Sequence, residues 1–402
     1  MVSTTEKVNK VYSKNNPSLY LRNFKLVDKF VQNRINLLMS LKLPKNIFKD
    51  SNLIDFGSGT GLNTLVYNIL GANCTLIEYD KKSYQFSKKL FKKFSKTGYR
   101  IIKKDLFNFK TKKKFDFVIS NGVAHHTKNP ILNLKICVKS LKKNGFFLFG
   151  FGETNGFFQR NLQRLILYSL SNNYEDIANY AKILFKDHLN RSKKFSGRTI
   201  DEIIADTYLN PKINTLSLNQ LIEFFRKNNL EIYSYYGKIK SLNNFIESDI
   251  NQFKLTNSNK KQKKNEKINL NLNDIQNFSL SNNYFEKSQK LIYKKINSLN
   301  IRINKFTSSI NNIDFNKKNI KLHNNSINDL HQKIKHLDKI DLINKNHNLK
   351  FIQELKALIK ILNSNNINSK KLQKIKKHLS LCKVLLKGVN GTGMNYLVGY
   401  KK

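Results

Sequence analysis

The chain has 402 residues, 40% of them hydrophobic and 11% aromatic, with 28 Phe and 17 Tyr; this excludes a disordered polypeptide and allows one elaborated domain or two to three ordinary ones. A formal net charge of +46 predicts attraction to polyanions such as nucleic acid or an anionic membrane surface. The charge is nonetheless scattered: +23 falls on residues 1–250 and +23 on the shorter remainder, and Lys, Asn and Ile crowd the whole chain, as an A/T-rich coding bias would make them.

Cys74, Cys137 and Cys382 lie far apart without C-x-x-C spacing, so neither a metal site nor a disulfide framework is expected. The N-terminus lacks an apolar signal core, and the most apolar run, Phe146 to Phe151, is far shorter than the roughly 20 residues of a membrane helix. The expectation is a cytoplasmic protein without a transmembrane segment.

In chain order, apolar residues at helical spacing from Leu21 to Leu38 predict an N-terminal helix that Pro44 stops. A regular alternation follows: strand Asn52–Phe56, helix Leu62–Leu70, strand Cys74–Ile77, helix Ser83–Ser95, strands Tyr99–Ile102 and Asp116–Ser120, helix Pro130–Leu141 with Asn129 as N-cap, and strand Phe146–Phe151. Such alternation predicts an α/β fold with a parallel sheet covered on both faces. Residues 154–228 read as mostly helical, Glu231–Tyr236 as a strand, and the Asn/Lys/Ser/Gln-rich stretch 250–283 as a linker. Ile292, Ile296, Leu299, Ile303, Phe306, Ile310 and Ile313 then step 4-3-4-3-4-3, the seam of a coiled coil or helical hairpin. Three shorter runs of the same spacing bring the expected helices to four, before a Gly-rich turn and a final strand, Met394–Tyr400.

The segment that carries chemistry is Leu53-Ile54-Asp55-Phe56-Gly57-Ser58-Gly59-Thr60-Gly61, a strand ending in three alternating glycines that open a helix. Glycines there permit a tight turn and close backbone approach to a ligand lying over the strand ends. A dinucleotide fingerprint needs a further glycine three positions after Gly59, where Leu62 stands, so the nicotinamide and flavin readings are disfavoured. Glu78 ends the second strand, where a carboxylate can accept both ribose hydroxyls of a nucleoside, with Asp80 a nearby substitute. Asp105, just past the third strand, is placed to accept from an adenine amino group, and Asn121 ends the fourth. Four ligand-facing positions at four successive strand ends are far more specific than any one of them.

On these motifs residues 50–152 resemble the class I S-adenosylmethionine-dependent methyltransferase core. The resemblance runs through Asp55–Gly61, Glu78, Asp105-Leu106, the segment FDFVISNGVAHHTKNP at 115–130 and the Lys142–Gly145 turn. It implies a Rossmann-like seven-stranded, mostly parallel sheet with an antiparallel last strand. It also implies S-adenosylmethionine held by Asp55, Gly57, Ser58, Gly59, Gly61, Glu78, Asp105, Leu106 and Asn121. The last two strands, normally joined by a short loop, are separated by more than 150 residues. The expected organisation is an N-terminal helical segment (1–49), the cofactor-binding core (50–152), a helical acceptor lid (153–217), the last helix and strands of the core (218–249 and 386–402) and a basic helical insertion (250–385).

Methyl transfer is an in-line displacement to which the enzyme supplies proximity, alignment and a base. His126, in His125-His126 after the fourth strand, is the first candidate for that base; capping or packing is the competing structural role. His125, Glu153, Asp206 and Tyr208 are candidates for acceptor contact. Asn155, Arg198 and Pro211 are weaker ones, and Tyr12 and Tyr20 could close the pocket from the N-terminal side. No Asn-Pro-Pro-aromatic motif follows the strand, which removes the specific argument for an amide or nucleobase nitrogen. The leading expectation is a methyltransferase acting at oxygen or nitrogen of a small-molecule or lipid-linked acceptor. The alternative is an RNA or protein methyltransferase whose basic helical arm grips its substrate, and an assembly protein without turnover is a third reading. The 4-3 seam is compatible with pairing inside the chain or with a homo-oligomer formed through the arm.

Overall fold

The computed structural model describes residues 27–154, 156–210, 213–236, 290–311, 313, 325–336, 345–364, 368–386 and 394–402. Tyr12, Tyr20, Asn155, Pro211, the 250–283 stretch and the Gly-rich turn at 388–393 lie outside them.

The chain divides into two units, the first made of residues 1–152, 178–237 and 394–402, the second of residues 153–177 and 238–393. In the first unit, helix α1 (Val27–Ser40) precedes β1 (Asn52–Phe56), α2 (Leu62–Ile69), β2 (Asn73–Glu78), α3 (Lys81–Phe94), β3 (Tyr99–Lys103), β4 (Phe115–Asn121), α4 (Pro130–Ser140) and β5 (Leu141–Gly152). The seven-stranded sheet has the order β3-β2-β1-β4-β5-β7-β6, with β6 at Leu230–Tyr236 and β7 at Met394–Lys401. β1 to β5 run parallel, and β7 is antiparallel to both of its neighbours. The expected α/β architecture with an antiparallel last strand is therefore the one observed.

The sheet forms because its central strands are almost wholly apolar. Leu53, Ile54, Phe56, Leu76, Ile77, Val118, Ile119, Phe147 and Phe149 are all buried, as parallel strands covered on both faces require. α1 closes one side with Val27, Ile35 and Leu38, which join the core cluster around Phe48, Tyr67 and Phe117.

Two boundaries of the core differ from expectation by more than one residue. α3 begins at Lys81, two residues early, because the Asp80 carboxylate accepts the Ser83 N–H at 2.7 Å and caps the helix. β5 begins at Leu141, directly after α4, and the Lys-Lys-Asn-Gly turn is absorbed as an irregularity at Asn144, whose φ is +61°.

In the second unit, α5 (Phe158–Tyr168) packs on α10 (Lys290–Asn311), followed by α11 (Asn325–Lys335), α12 (Lys345–Leu362) and α13 (Asn368–Leu381), each against its predecessor. Between α5 and β6 the chain forms α6 (Tyr174–Leu184), which straddles the division, and α7 (Lys186–Ser196), α8 (Ile200–Ile204) and α9 (Leu218–Lys227), which belong to the first unit. Leu299, Ile303, Phe306 and Ile310 of the 4-3 seam are buried together with Ile327, Leu330, Ile334, Ile352, Leu355 and Ile359, so within the described residues this seam has partners inside the same chain. None of the described helices is long and apolar enough to cross a membrane.

The end of α13 is fastened by one carboxylate. Glu354 on α12 accepts N–H bonds from Lys383 at 2.7 Å, Val384 at 3.0 Å and Leu385 at 2.6 Å. Partial burial pushes its carboxyl up, but the three donors outweigh that and hold it below the usual glutamate range. Glu354→Ala is expected to release this turn at a cost of about 1–2 kcal/mol. Hydrogen exchange at the Lys383–Leu385 amides should then accelerate about 5- to 30-fold, with the β-sheet amides unchanged.

Candidate active site

The carboxyl ends of β1, β2, β3 and β4 lie side by side in one parallel sheet, the usual ligand crevice of an open α/β fold. The turn after β1 is built on positive backbone angles, with φ of +77° at Gly57, +57° at Gly59 and +77° at Gly61. At Gly57 a Cβ would stand 2.6 Å from a methyl of Val123, so the loop after β4 can close on this turn only because the side chain is absent. The turn is fixed to the next strand by N–H bonds from Gly57 and Ser58 to the Ile77 carbonyl at 2.9 and 3.1 Å.

Three carboxylates are buried at this end of the sheet, those of Asp55, Glu78 and the helix cap Asp80. Glu78 Oε2 accepts the Gly59 N–H at 2.6 Å, and Oε1 accepts the Asp80 N–H at 2.7 Å. The Tyr79 N–H is a further donor, and a carboxylate with about four lone-pair sites still has room for another. Burial pushes the Glu78 carboxyl up to about 7 despite these bonds. Asp55 Oδ2 accepts from Thr64 Oγ1 at 2.6 Å, while Oδ1 has no partner among the described residues. Burial lifts this group too to about 7, opposed by the Thr64 bond and the Arg34 guanidinium.

Asp105 caps a short 3-10 turn by accepting the Phe107 N–H at 2.9 Å, and Leu106 behind it is buried. Among the described residues the two buried amide atoms of Asn121 have no partner, nor has the Ser58 hydroxyl. Buried polar atoms without partners are costly unless something else satisfies them. A nucleoside ligand with hydroxyls and amino groups suits this set of acceptors and the Asn121 amide, so the residues fit S-adenosylmethionine. Asp80, the suggested substitute for Glu78, is instead a helix cap.

A second cluster stands just past β4. His126 ends a 3-10 turn, its Nδ1 2.8 Å from Asn210 Nδ2 and its Nε2 3.6 Å from Asp206 Oδ1. With the amide donating to Nδ1, the ring proton belongs on Nε2, facing the carboxylate. Asp206 is balanced by Arg198, whose Nη1 lies 3.1 Å from Oδ2. Asn214 ties the same segment down, its N–H meeting the His125 carbonyl at 2.6 Å and its Nδ2 the Thr127 carbonyl at 2.6 Å.

The structure thus brings His126 and Asp206 together, with the His125 ring 4.0 Å from that of His126. Tyr208 is wholly buried, its hydroxyl 3.3 Å from His188 Nδ1 and its ring against Phe185. Glu153, in the second unit, accepts the Gly156 N–H at 2.8 Å through Oε2. Asn210, Asn214 and Thr64 were not anticipated. Nothing local marks them, because each acts on a partner reached only through the fold.

Residues 54–149 match the family model described as a methyltransferase domain. No curated protein matches the chain. Among solved structures it is similar to an S-adenosylmethionine-dependent methyltransferase from Thermotoga maritima, at 17% identity over 57% of this chain and 82% of the other, with a TM-score of 0.34. Magnesium protoporphyrin IX methyltransferase from Synechocystis, with bound S-adenosylmethionine, gives 10% identity over 59% and 90% and a TM-score of 0.37. The protein PKMT2 from Rickettsia typhi gives 18% identity over 51% and 42% and a TM-score of 0.38.

Proposed function

We propose that this chain, whose residues 54–149 match a methyltransferase domain, is a class I S-adenosylmethionine-dependent methyltransferase that methylates an oxygen or nitrogen of a small-molecule or lipid-linked acceptor. The observation that carries this reading is the histidine cluster: a proton-accepting imidazole past β4, held by Asp206 and Asn210 of a segment folded back over it. A segment tied down in this way covers the site and favours a compact acceptor over a polymer.

Bound S-adenosylmethionine supplies an electrophilic methyl group on a sulfonium. Asp55, Ser58, Glu78, Asp105, Leu106 and Asn121, with the Gly57-Gly59-Gly61 turn, hold and orient it. An acceptor O–H or N–H would have to take the place of the Asn210 amide at His126 Nδ1, which would then receive the proton as the acceptor atom takes the methyl group and S-adenosylhomocysteine leaves. Asp206 stabilises the imidazolium that results, and Arg198 fixes Asp206. His125, whose ring lies beside that of His126, shapes the acceptor side.

Two measurements test the reading. Calorimetric titration of S-adenosylmethionine should give binding that weakens at least about tenfold when Glu78→Gln and Asn121→Ala remove charge-assisted and neutral hydrogen bonds. Incubation with methyl-labelled cofactor and cell extract, separated into small-molecule, lipid, RNA and protein fractions, should place label in one of the first two. Label confined to RNA or protein would overturn the acceptor class in favour of a substrate gripped by the basic arm.

A further inference from the structure

Asp206 and Asn210 reach His126 from a segment with an uncommon backbone. α8 opens on a capping box, the Thr199 hydroxyl accepting the Glu202 N–H at 3.2 Å and the Glu202 carboxylate accepting the Thr199 N–H at 2.8 Å. The helix then runs on past Ile204 as a single π turn, Ala205–Leu209. Hydrogen bonds in such a turn span five residues instead of four, a geometry that is rare and gathers at functional sites. Asp206 lies inside the turn and Asn210 directly follows it. Four positions apart, they share one side of the segment, and together they meet both ring nitrogens of His126.

Tyr208 stands midway between them and is engaged elsewhere. Its ring is wholly buried beside Phe185, at 5.9 Å between centroids, and its hydroxyl stands 3.3 Å from His188 Nδ1. Both partners belong to the start of α7, Phe185 as the N-cap residue and His188 in the first turn, and α7 packs on α8. A buried ring anchors a segment through its area, and a hydroxyl with a fixed partner sets how the segment is rotated about that anchor. The two residues on either side of Tyr208 grip the imidazole, so a displacement of Tyr208 moves both grips at once. Asp206 faces Nε2 and thereby keeps the proton-accepting lone pair on Nδ1, where the acceptor enters.

We propose that Tyr208 is a positioning residue for methyl transfer: pinned to Phe185 and His188, it holds the π turn in the register that presents Asp206 and Asn210 to the two nitrogens of His126. This role rests on His126 being the base. The state of the imidazole can be read without turnover, so the clamp and the base fail separately. A catalytic group displaced by about 1 Å can lose about 10²-fold in rate, and loss of one hydroxyl behind it should cost part of that.

The test compares the full native chain with Tyr208→Phe, which keeps the ring and removes the hydroxyl, and with His188→Leu, which removes the hydroxyl's partner from outside the turn. Tyr235→Phe, which removes a buried hydroxyl from β6 of the same unit, is the control. Nitrogen-15 resonances of the His126 ring at pH 8.5, above the usual histidine range, report which nitrogen carries the proton. Passage of labelled methyl groups from S-adenosylmethionine into cell extract reports the rate. The native chain and Tyr235→Phe should show the Nε2–H tautomer alone. Tyr208→Phe and His188→Leu should show a mixture of both tautomers and a rate about tenfold lower, with the dissociation constant for S-adenosylmethionine unchanged. Asp206→Asn/Tyr208→Phe should lose less than the product of the two single losses, as residues acting through one contact do. A native tautomer and rate in Tyr208→Phe, whatever its melting temperature, would make Tyr208 an ordinary core residue and overturn the proposal, as would equal losses in Tyr208→Phe and Tyr235→Phe. A tautomer shift in Tyr208→Phe beside an indifferent His126→Asn would keep the clamp and overturn its part in catalysis.

Discussion

His126→Asn is expected to lower kcat by about 10² to 10⁴-fold while leaving the dissociation constant for S-adenosylmethionine unchanged, the range a positioned general base contributes. The expectation rests on the separation of tasks in the site. The proposed cofactor set stands at the ends of β1 to β4, whereas His126 is reached by Asp206 and Asn210 from a different stretch of chain. Asp206→Asn should cost less, because the carboxylate sits 3.6 Å from Nε2 and acts through charge rather than by accepting the reacting proton. Asn210→Ala leaves the base in place and removes only the amide that occupies Nδ1, so its effect should fall on KM more than on kcat. Equal kcat values for native protein and His126→Asn, with labelled cofactor consumed at the same rate, would remove the imidazole from the mechanism.

Asp55→Asn should produce the second large effect, and of opposite sign for stability and for function. In an unfolded chain Asp55 titrates near 4, and burial raises it to about 7 in the fold. Between those values the folded state binds more protons than the unfolded one, so stability falls as pH rises from about 4 and the loss is complete only above 7. Removing the charge should therefore stabilise the ligand-free protein at pH 8, by on the order of 2–4 kcal/mol, and leave it unchanged near pH 4. Thr64 can still donate to an amide oxygen at that position, so the hydrogen bond survives the substitution. Cofactor affinity should fall in the same variant. Under the proposed function, a buried charge that costs stability beside the glycine turn is accounted for by cofactor binding. Thermal melting at pH 4, 6 and 8 measures the first part and calorimetry the second; a stability gain independent of pH would show that Asp55 is not the group responsible.

Much of this was legible in the sequence because it is local. The strands of the core announce themselves as short apolar runs closed by turn residues, and Asp55, Gly57, Gly59, Gly61, Glu78, Asp105 and Asn121 each stand at a strand end that the alternation fixes. The 4-3 spacing of Leu299, Ile303, Phe306 and Ile310 likewise predicts a buried helical seam, and those side chains are buried.

Other features depend on which segments the fold brings together. Asp80 reads equally well as a ligand or as a cap, and only the Ser83 N–H decides between them. Tyr208 looks like a polar group free to meet a substrate, yet it is buried against Phe185. The partnership of His126 with Asp206 and Asn210 spans 80 and 84 positions of chain, and no periodicity encodes it. The place of β7 between β5 and β6 is equally silent in a strand pattern, which specifies faces and not neighbours.

That place has a consequence for biosynthesis. Roughly 150 residues separate β6 from β7, so at ribosomal rates of about 5–20 residues per second the nascent chain carries an unfinished sheet for on the order of ten seconds or more. During that interval β5, with Phe147 and Phe149, lacks the strand that it pairs with from Phe146 to Gly152 in the finished fold. A long, apolar, open edge is a template for pairing with another chain. The helices between the two strands must therefore emerge, and their own apolar seams be buried, while the sheet waits, and the protein's yield in a cell should depend on chaperone supply more than its final stability would suggest.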